Sequence, residues 1–174
     1  MNQTIIFICA FCALHLCASA QNKGFVTVHD LSLLCEMDST SFAHYVEPNG
    51  FQLGQNRQVN ECAFLGFFSE KSEVTGVYNK VSLLRCSNRT MAMFMSTNRD
   101  YFVQLKKTFT ADGFRFTGKS TGPNGHPQYN NFAKGNHHIR YSARIEMNIP
   151  SYTIQYWIDK AGAMPFDPPS LEFN

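Results

Sequence analysis

The segment Gly113–Ser120 comes closest to a known chemical motif, because it fits the phosphate-loop pattern G-x-x-x-x-G-K-[ST]. That pattern binds phosphate where a strand precedes the loop and a helix follows it, so that backbone N–H groups meet the phosphates. Here a helix is predicted before the segment, and Gly122 and Pro123 exclude a helix after it. We therefore predict a strand followed by a long loop, and no bound nucleotide.

Two groups of side chains have the chemistry of metal ligands. Met91, Met93 and Met95 lie on one side of a predicted strand, and thioethers in this pattern either bind Cu(I) or form an apolar core face. The core face is favoured, since no His or Cys accompanies them. His137 and His138 are adjacent in a predicted strand, so they point to opposite faces and cannot share a metal ion. No zinc-ligand spacing occurs, and we expect no metal and no cofactor.

Catalytic groupings are few. The sequence has no G-x-S-x-G nucleophile elbow. Cys35 and His44 could pair, but a helical cysteine among leucines is typical of an unreactive core residue. Glu146 and Asp159 are the only acids between Asp112 and Asp167, which disfavours a glycosidase-type carboxylate pair. A non-enzymatic protein is favoured, with a small hydrolase as the alternative.

A cluster of arginine and aromatic residues near the C-terminus favours binding of a protein partner. Arg140 and Arg144 are spaced to share one face of a predicted strand, and Tyr152, Tyr156 and Trp157 lie in the next strand. Arginine, tyrosine and tryptophan dominate the energetics of protein interfaces. Packing at a sheet edge would explain the same residues without a partner. We predict an exposed sheet face that binds a protein of unknown identity. The alternative to this function is a hydrolase or a carrier of a small or hydrophobic ligand.

The elements that must position these residues follow from hydrophobic spacing and turn residues. Two short helices are predicted within 30–46, capped by Asp30 and by Asp38 or Ser39, and a longer helix follows Asn98. Extended chain begins at Phe51. Strands are predicted at 61–69, 76–86, 90–97, 114–116, 129–133, 137–147 and 152–158.

The order of these elements suggests a tandem duplication with a period of about sixty residues. A helix, the pair Gly50-Phe51 and three strands are followed by a helix, the pair Gly113-Phe114 and three strands. The pseudo-repeats would be 30–97 and 98–160. The predicted fold class is therefore α+β, an antiparallel sheet with helices on one face and a possible duplicated αβββ unit. Two unrelated segments with the same layout are the alternative.

The first predicted hairpin leads to a prediction about the cysteines. If its loop is centred near Val74, residues whose numbers sum to 148 lie opposite each other, as Cys62 and Cys86 do. Opposite strand residues are within disulfide reach, although a register slip of one residue would put the two sulfurs on opposite faces. We predict a Cys62–Cys86 disulfide and a buried, free Cys35.

Composition and the N-terminus indicate the class of protein and its compartment. The chain has 174 residues, 44% hydrophobic and 16% charged, with a net charge of +2, which excludes a disordered chain and a strongly basic nucleic-acid binder. An apolar run followed by Ala18-Ser19-Ala20 predicts a signal peptide over 1–20, cleaved after Ala20, with an uncleaved anchor as the alternative. We expect a secreted or periplasmic protein with no membrane span after signal removal. The domain would cover 21–160, and 161–174 would be a proline-containing tail.

A signal ending in Ala18-Ser19-Ala20-Gln21, short helices over 31–46, the Gly50-Phe51 pair and then strand pairs resemble small secreted proteins of Bacteroidetes-type bacteria. Those proteins carry no agreed activity. The predicted layout is also similar in outline to the bacterial secreted inhibitor of β-lactamase, which implies a fold and no binding residues.

Overall fold

The structure is a computed structural model that describes residues 27–160 except 60, 72–75, 88, 123–126 and 147. The helices in this part of the chain are α1 (Val28–Glu36), α2 (Ser39–Val46) and α3 (Arg99–Ala111), and a 3-10 turn at Glu47–Asn49 follows α2. The strands are β1 (Phe51–Val59), β2 (Cys62–Ser69), β3 (Asn79–Cys86), β4 (Arg89–Ser96), β5 (Arg115–Thr121), β6 (Gln128–Lys134), β7 (His137–Glu146) and β8 (Ile149–Asp159).

The eight strands form one antiparallel sheet in the order β1-β2-β3-β4-β8-β7-β6-β5. Each strand pairs with its neighbour in sequence, except where β4 meets β8 at the centre. The last strand of each half is therefore central, and the first strand of each half lies at an edge. The predicted α+β class is confirmed.

Helix capping explains where the three helices begin. Asp38 and Asn98 cap α2 and α3 as predicted, each accepting a hydrogen bond from a first-turn backbone N–H, at 2.8 and 2.9 Å. The predicted cap of α1 was wrong. Thr27 is the N-cap, and Asp30 completes a capping box by accepting from the Thr27 N–H at 2.7 Å. The helix consequently begins two residues before Asp30.

Each half of the sheet has four strands, whereas the predicted αβββ unit has three. Phe51–Val59 and Arg115–Thr121 are full strands, where the sequence predicted only extended chain and a three-residue strand. Both are edge strands with mostly exposed side chains. An edge strand with two solvated faces lacks the apolar alternation on which the prediction depended.

The predicted disulfide is confirmed. In the β2–β3 hairpin Ala63 pairs with Arg85 and Phe64 with Leu84, which is the expected register. Cys62 and Cys86 are bonded across it, with Cα atoms 4.3 Å apart. Cys35 is free and buried, as expected. A disulfide in so sparse a cysteine pattern fits the oxidising conditions of an extracellular location. Cleavage after Ala20 stays a prediction, because residues 1–20 lie outside the described part.

The buried side chains fall into two clusters. The larger one unites all three helices with alternate sheet residues, and includes Leu34, Phe42, Leu105, Ala92 and Phe94. The second cluster draws, within the described part of the chain, on strand residues only: Phe64, Leu84, Met91, Met93 and Trp157, flanked by Val59 and the disulfide. Successive strand residues point to opposite faces, so Met91 and Met93 lie on the sheet face opposite that of Ala92 and Phe94. Met95 is buried as well, so all three methionines are core residues, in agreement with the favoured prediction.

Candidate functional site

A row of directly opposite residues crosses all eight strands on the face that carries Trp157. Paired positions of adjacent antiparallel strands lie on the same side of a sheet. In the order from β1 to β5, the row is Arg57, Phe64, Leu84, Met91, Trp157, His138, Ala133 and Arg115. We call the side of the sheet that contains this row the Trp157 face. Its row has an exposed arginine at each end and a buried apolar centre.

The next row along the same face contains a chain of polar contacts. Arg140 is 3% exposed, and its Nε donates a hydrogen bond to Oε1 of Gln155. The Gln155 amide in turn contacts the sulfur of Met93 at 3.5 Å. The Arg140 guanidinium also lies 4.0 Å above the ring of Tyr129. These contacts join strands β6, β7, β8 and β4, so Arg140 holds the middle of the sheet together.

The Trp157 face is basic. Its strand positions hold six basic residues, Arg57, Lys80, Arg89, Arg115, Arg140 and Arg144, against the two acidic positions 146 and 159. The difference is +4, twice the net charge of +2 of the whole chain. Arg89 and Arg140 are buried, so the attraction for acidic groups comes from the four basic residues that reach solvent, Arg57, Lys80, Arg115 and Arg144.

At one end of the face, the carboxylate of Asp159 contacts both the guanidinium of Arg89 and the imidazole of His138. Asp159 accepts a salt bridge from Nη2 of Arg89 at 2.7 Å and lies 3.0 Å from Nε2 of His138. The imidazole of His138 stacks on the indole of Trp157, with centroids 5.1 Å apart. The orientation of Trp157 is thereby tied to the last residue of β8.

The structure divides the five residues that the sequence grouped as a binding site. Arg140, Arg144 and Trp157 belong to the Trp157 face. Tyr152 and Tyr156 point to the other face and belong to the helix-containing cluster. Tyr152 stacks on Phe102 of α3 at 5.0 Å, so its ring packs against a helix. Sequence reasoning missed the exposed arginines of the outer strands, because their faces become clear only once strand order and register are known.

A cavity of about 450 Å³ lies between α1, the end of α3 and the β6–β7 turn. It is lined by Val28, His29, Ser32, Ala111, Asp112, Phe114, Lys134, His137 and Tyr156. The Nζ of Lys134 donates to the Asp112 carbonyl at 2.7 Å, which holds the amine at the rim. The volume is in the range of small-molecule sites.

Three side chains in this cavity form a hydrogen-bonded chain. The Tyr156 hydroxyl donates to Oγ of Ser32 at 3.1 Å and lies 2.5 Å from Nδ1 of His137. Burial raises the pKa of Tyr156, so the phenol stays neutral.

Cys35 is hydrogen-bonded to the backbone of Tyr156 and lacks the properties of a nucleophile. Its thiol donates to the Tyr156 carbonyl at 3.4 Å, and burial raises its pKa to about 12. A thiol held neutral in this way is unreactive, which argues against a Cys35–His44 catalytic pair.

The phosphate-loop match has a defined place in the sheet. Residues 115–120 of the phosphate-loop match lie in β5, which pairs with β6, so Gly118 and Lys119 belong to a strand.

No helix in the described ranges is both long and apolar enough to cross a membrane. The same ranges contain no group of three or more His, Cys, Asp or Glu side chains arranged to bind a metal ion.

Comparison with protein-family models, with curated proteins and with solved structures found no match.

Proposed function

We propose that the protein is a non-enzymatic binding module that docks a protein partner on the Trp157 face. The row from Arg57 through Trp157 to Arg115 carries this proposal, because it combines an apolar centre with arginines at both rims. Interfaces of this composition gain most of their affinity from aromatic and arginine side chains. The partner surface would be acidic around an apolar centre.

We further infer that α1, α2 and α3 cover the opposite face, and that the two halves of the chain are tandem repeats. The mirrored strand order supports a duplication. So do Gly50 and Gly113, which both have positive φ angles, 84° and 87°, at the joins to β1 and β5. Glycine tolerates this left-handed conformation at little energetic cost. If neither repeat places a helix on the Trp157 face, the two halves of that face form one continuous surface for a partner.

The test is affinity capture with a matched pair of variants. The chain from residue 21 is immobilised, and proteins retained from envelope and secreted fractions of the source organism are identified. Arg115→Glu reverses an exposed charge on the Trp157 face, whereas Lys119→Glu reverses one at an exposed position of the other face of β5. We expect a stoichiometric partner that is lost with Arg115→Glu and retained with Lys119→Glu. Equal retention by both variants would exclude the Trp157 face as the docking surface.

The cavity supports a second candidate function, that of a carrier of a small ligand. The Ser32–Tyr156–His137 chain carries it, because it fixes the orientation of the polar groups inside a cavity of ligand size. A small-molecule library is screened by thermal shift against the wild type and Tyr156→Phe. A hit that needs the Tyr156 hydroxyl would support the carrier. Hits that bind both proteins equally, or no hits, would count against it.

A further inference from the structure

The centre of the Trp157 face is too deeply buried for a sheet face open to solvent. Phe64 is 0%, Met91 1% and Trp157 7% exposed. The described helices pack in the other cluster, and the second cluster contains only strand residues among those described. Large side chains on a solvated sheet face keep much of their surface in water. Atoms above these side chains must therefore exclude the water.

A segment of the chain is available at the right place. Asp159, the last residue of β8, lies on the Trp157 face, where it bonds Arg89 and His138. Lys160 follows it, and residues 161–174 come next. Fourteen residues can span about 46 Å at full extension, whereas β1, the strand farthest from β8, is about 19 Å away. The segment is long enough to reach every strand of the face.

The chemistry of this segment complements the face. Its large apolar residues, Met164, Phe166, Leu171 and Phe173, match the buried centre. Asp167 and Glu172 are its charged residues, and it has no Lys or Arg, whereas the face is basic. Prolines 165, 168 and 169 have no backbone N–H. Burying this segment on an apolar surface would therefore leave fewer backbone donors without a hydrogen-bond partner, which lowers the desolvation cost.

We propose that residues 161–174 occupy the Trp157 face of their own chain. The segment then competes with the acidic partner for that surface, a regulatory consequence that rests on the proposed function. A short connection gives an effective concentration on the order of 1 mM, so an intrinsic dissociation constant of about 0.1 mM keeps most of the face covered. A partner must displace the segment before it binds.

Trp157 is the sole tryptophan of the chain, so its fluorescence reports the face directly. The variant Phe166→Ser with Phe173→Ser is compared with wild type in the chain from residue 21. Leu53→Ser is the control, because Leu53 is an exposed apolar residue of the opposite face. We expect the double variant alone to show a red-shifted emission maximum and stronger acrylamide quenching. Thermal unfolding of each variant shows whether it is folded.

A synthetic peptide of residues 161–174 provides a second, independent measurement. It should bind the double variant with a dissociation constant below about 1 mM and reverse the change in emission. A peptide with Asp167→Lys and Glu172→Lys should bind at least tenfold more weakly. Unchanged emission in the double variant, together with no peptide binding, would overturn the proposal and assign the burial to the sheet's own side chains.

Partner capture by the double variant separates this proposal from the proposed docking function. If a partner binds the double variant and the wild type equally, the docking function stands and the competition by residues 161–174 is excluded.

Discussion

The imidazole of His138 lies nearly parallel to the indole of Trp157, with the two planes inclined by 11°. Asp159 contacts the imidazole of this pair and also forms a salt bridge with Arg89, so direct contacts link four residues of β4, β7 and β8. Arg89 is 4% exposed and Asp159 is 27% exposed, so this salt bridge joins a buried guanidinium to a carboxylate that reaches solvent.

Replacing Asp159 with Asn should destabilise the protein, because Arg89 would keep its buried charge and lose its counter-ion. Asp159 is 27% exposed, so solvent screening reduces the effect below that of a fully buried pair. We expect a loss of about 1–3 kcal/mol in the free energy of unfolding, measured in urea. Glu70→Gln, at an exposed acidic position, should change the free energy by less than about 0.5 kcal/mol. Equal stability of the two variants would show that Arg89 does not depend on Asp159.

Removing the disulfide should lower the stability of the N-terminal half. Cys62 and Cys86 close a loop with a sequence separation of 24, and a cross-link of this length restricts the unfolded chain by about 3 kcal/mol. Cys62→Ala with Cys86→Ala should reduce the free energy of unfolding by about 2–4 kcal/mol. Intact mass after alkylation, with and without reduction, checks the bond itself. Labelling of both cysteines without reduction would contradict it.

Cys35 should resist thiol reagents until the protein unfolds. Burial raises its pKa to about 12, from an ordinary value near 9.0. At pH 8 the folded chain from residue 21 should react slowly with iodoacetamide, and denaturant should release one fast-reacting thiol, that of Cys35. Fast labelling of the native protein would show that Cys35 is reached by solvent.

The same pKa predicts a stability change in alkali. Between pH 9 and 12 the unfolded thiol loses its proton and the folded one keeps it, so this contribution to stability falls as the pH rises. Buried tyrosines add to the alkaline loss, so the comparison is between wild type and Cys35→Ala. The variant should lose less stability over this range, and equal slopes would contradict the prediction.

Arg140 should not tolerate lysine. Its guanidinium bonds Gln155 and covers the ring of Tyr129, and an ammonium cannot reproduce both contacts. Arg140→Lys is expected to reduce the free energy of unfolding by about 1–3 kcal/mol. The matched change Arg115→Lys lies at an exposed position of the same face and should alter it by less than about 0.5 kcal/mol. A reversed order of the two effects would refute the structural role of Arg140.

Local chemistry made some features predictable. The disulfide followed from the symmetry of one hairpin, since Cys62 and Cys86 are equidistant from its turn. Asp38 and Asn98 were recognisable caps, because each precedes an apolar helical pattern. Prediction failed for the polar edge strands β1 and β5, whose apolar residues do not alternate.

The binding face was only partly predictable. Tyr156 and Trp157 are neighbours in sequence, yet strand alternation alone puts them on opposite sides of the sheet. Grouping them by proximity along the chain was therefore a mistake that the sequence itself could have prevented. The row that places Arg57 and Arg115 on the face of Trp157 depends on the pairing of β4 with β8, and no local pattern specifies that pairing.

The pairing of β4 with β8 also affects folding during synthesis. Arg89 in β4 bonds Asp159 in β8, seventy positions later, so β4 has no partner strand on that side while the second half is synthesised. During this interval its edge presents unpaired backbone groups within the apolar run Met91–Met95, a combination that favours association between nascent chains. Any delay in translation between α3 and β8 prolongs the exposure of this edge. Synthesis of the second half therefore protects the first half from association with other chains.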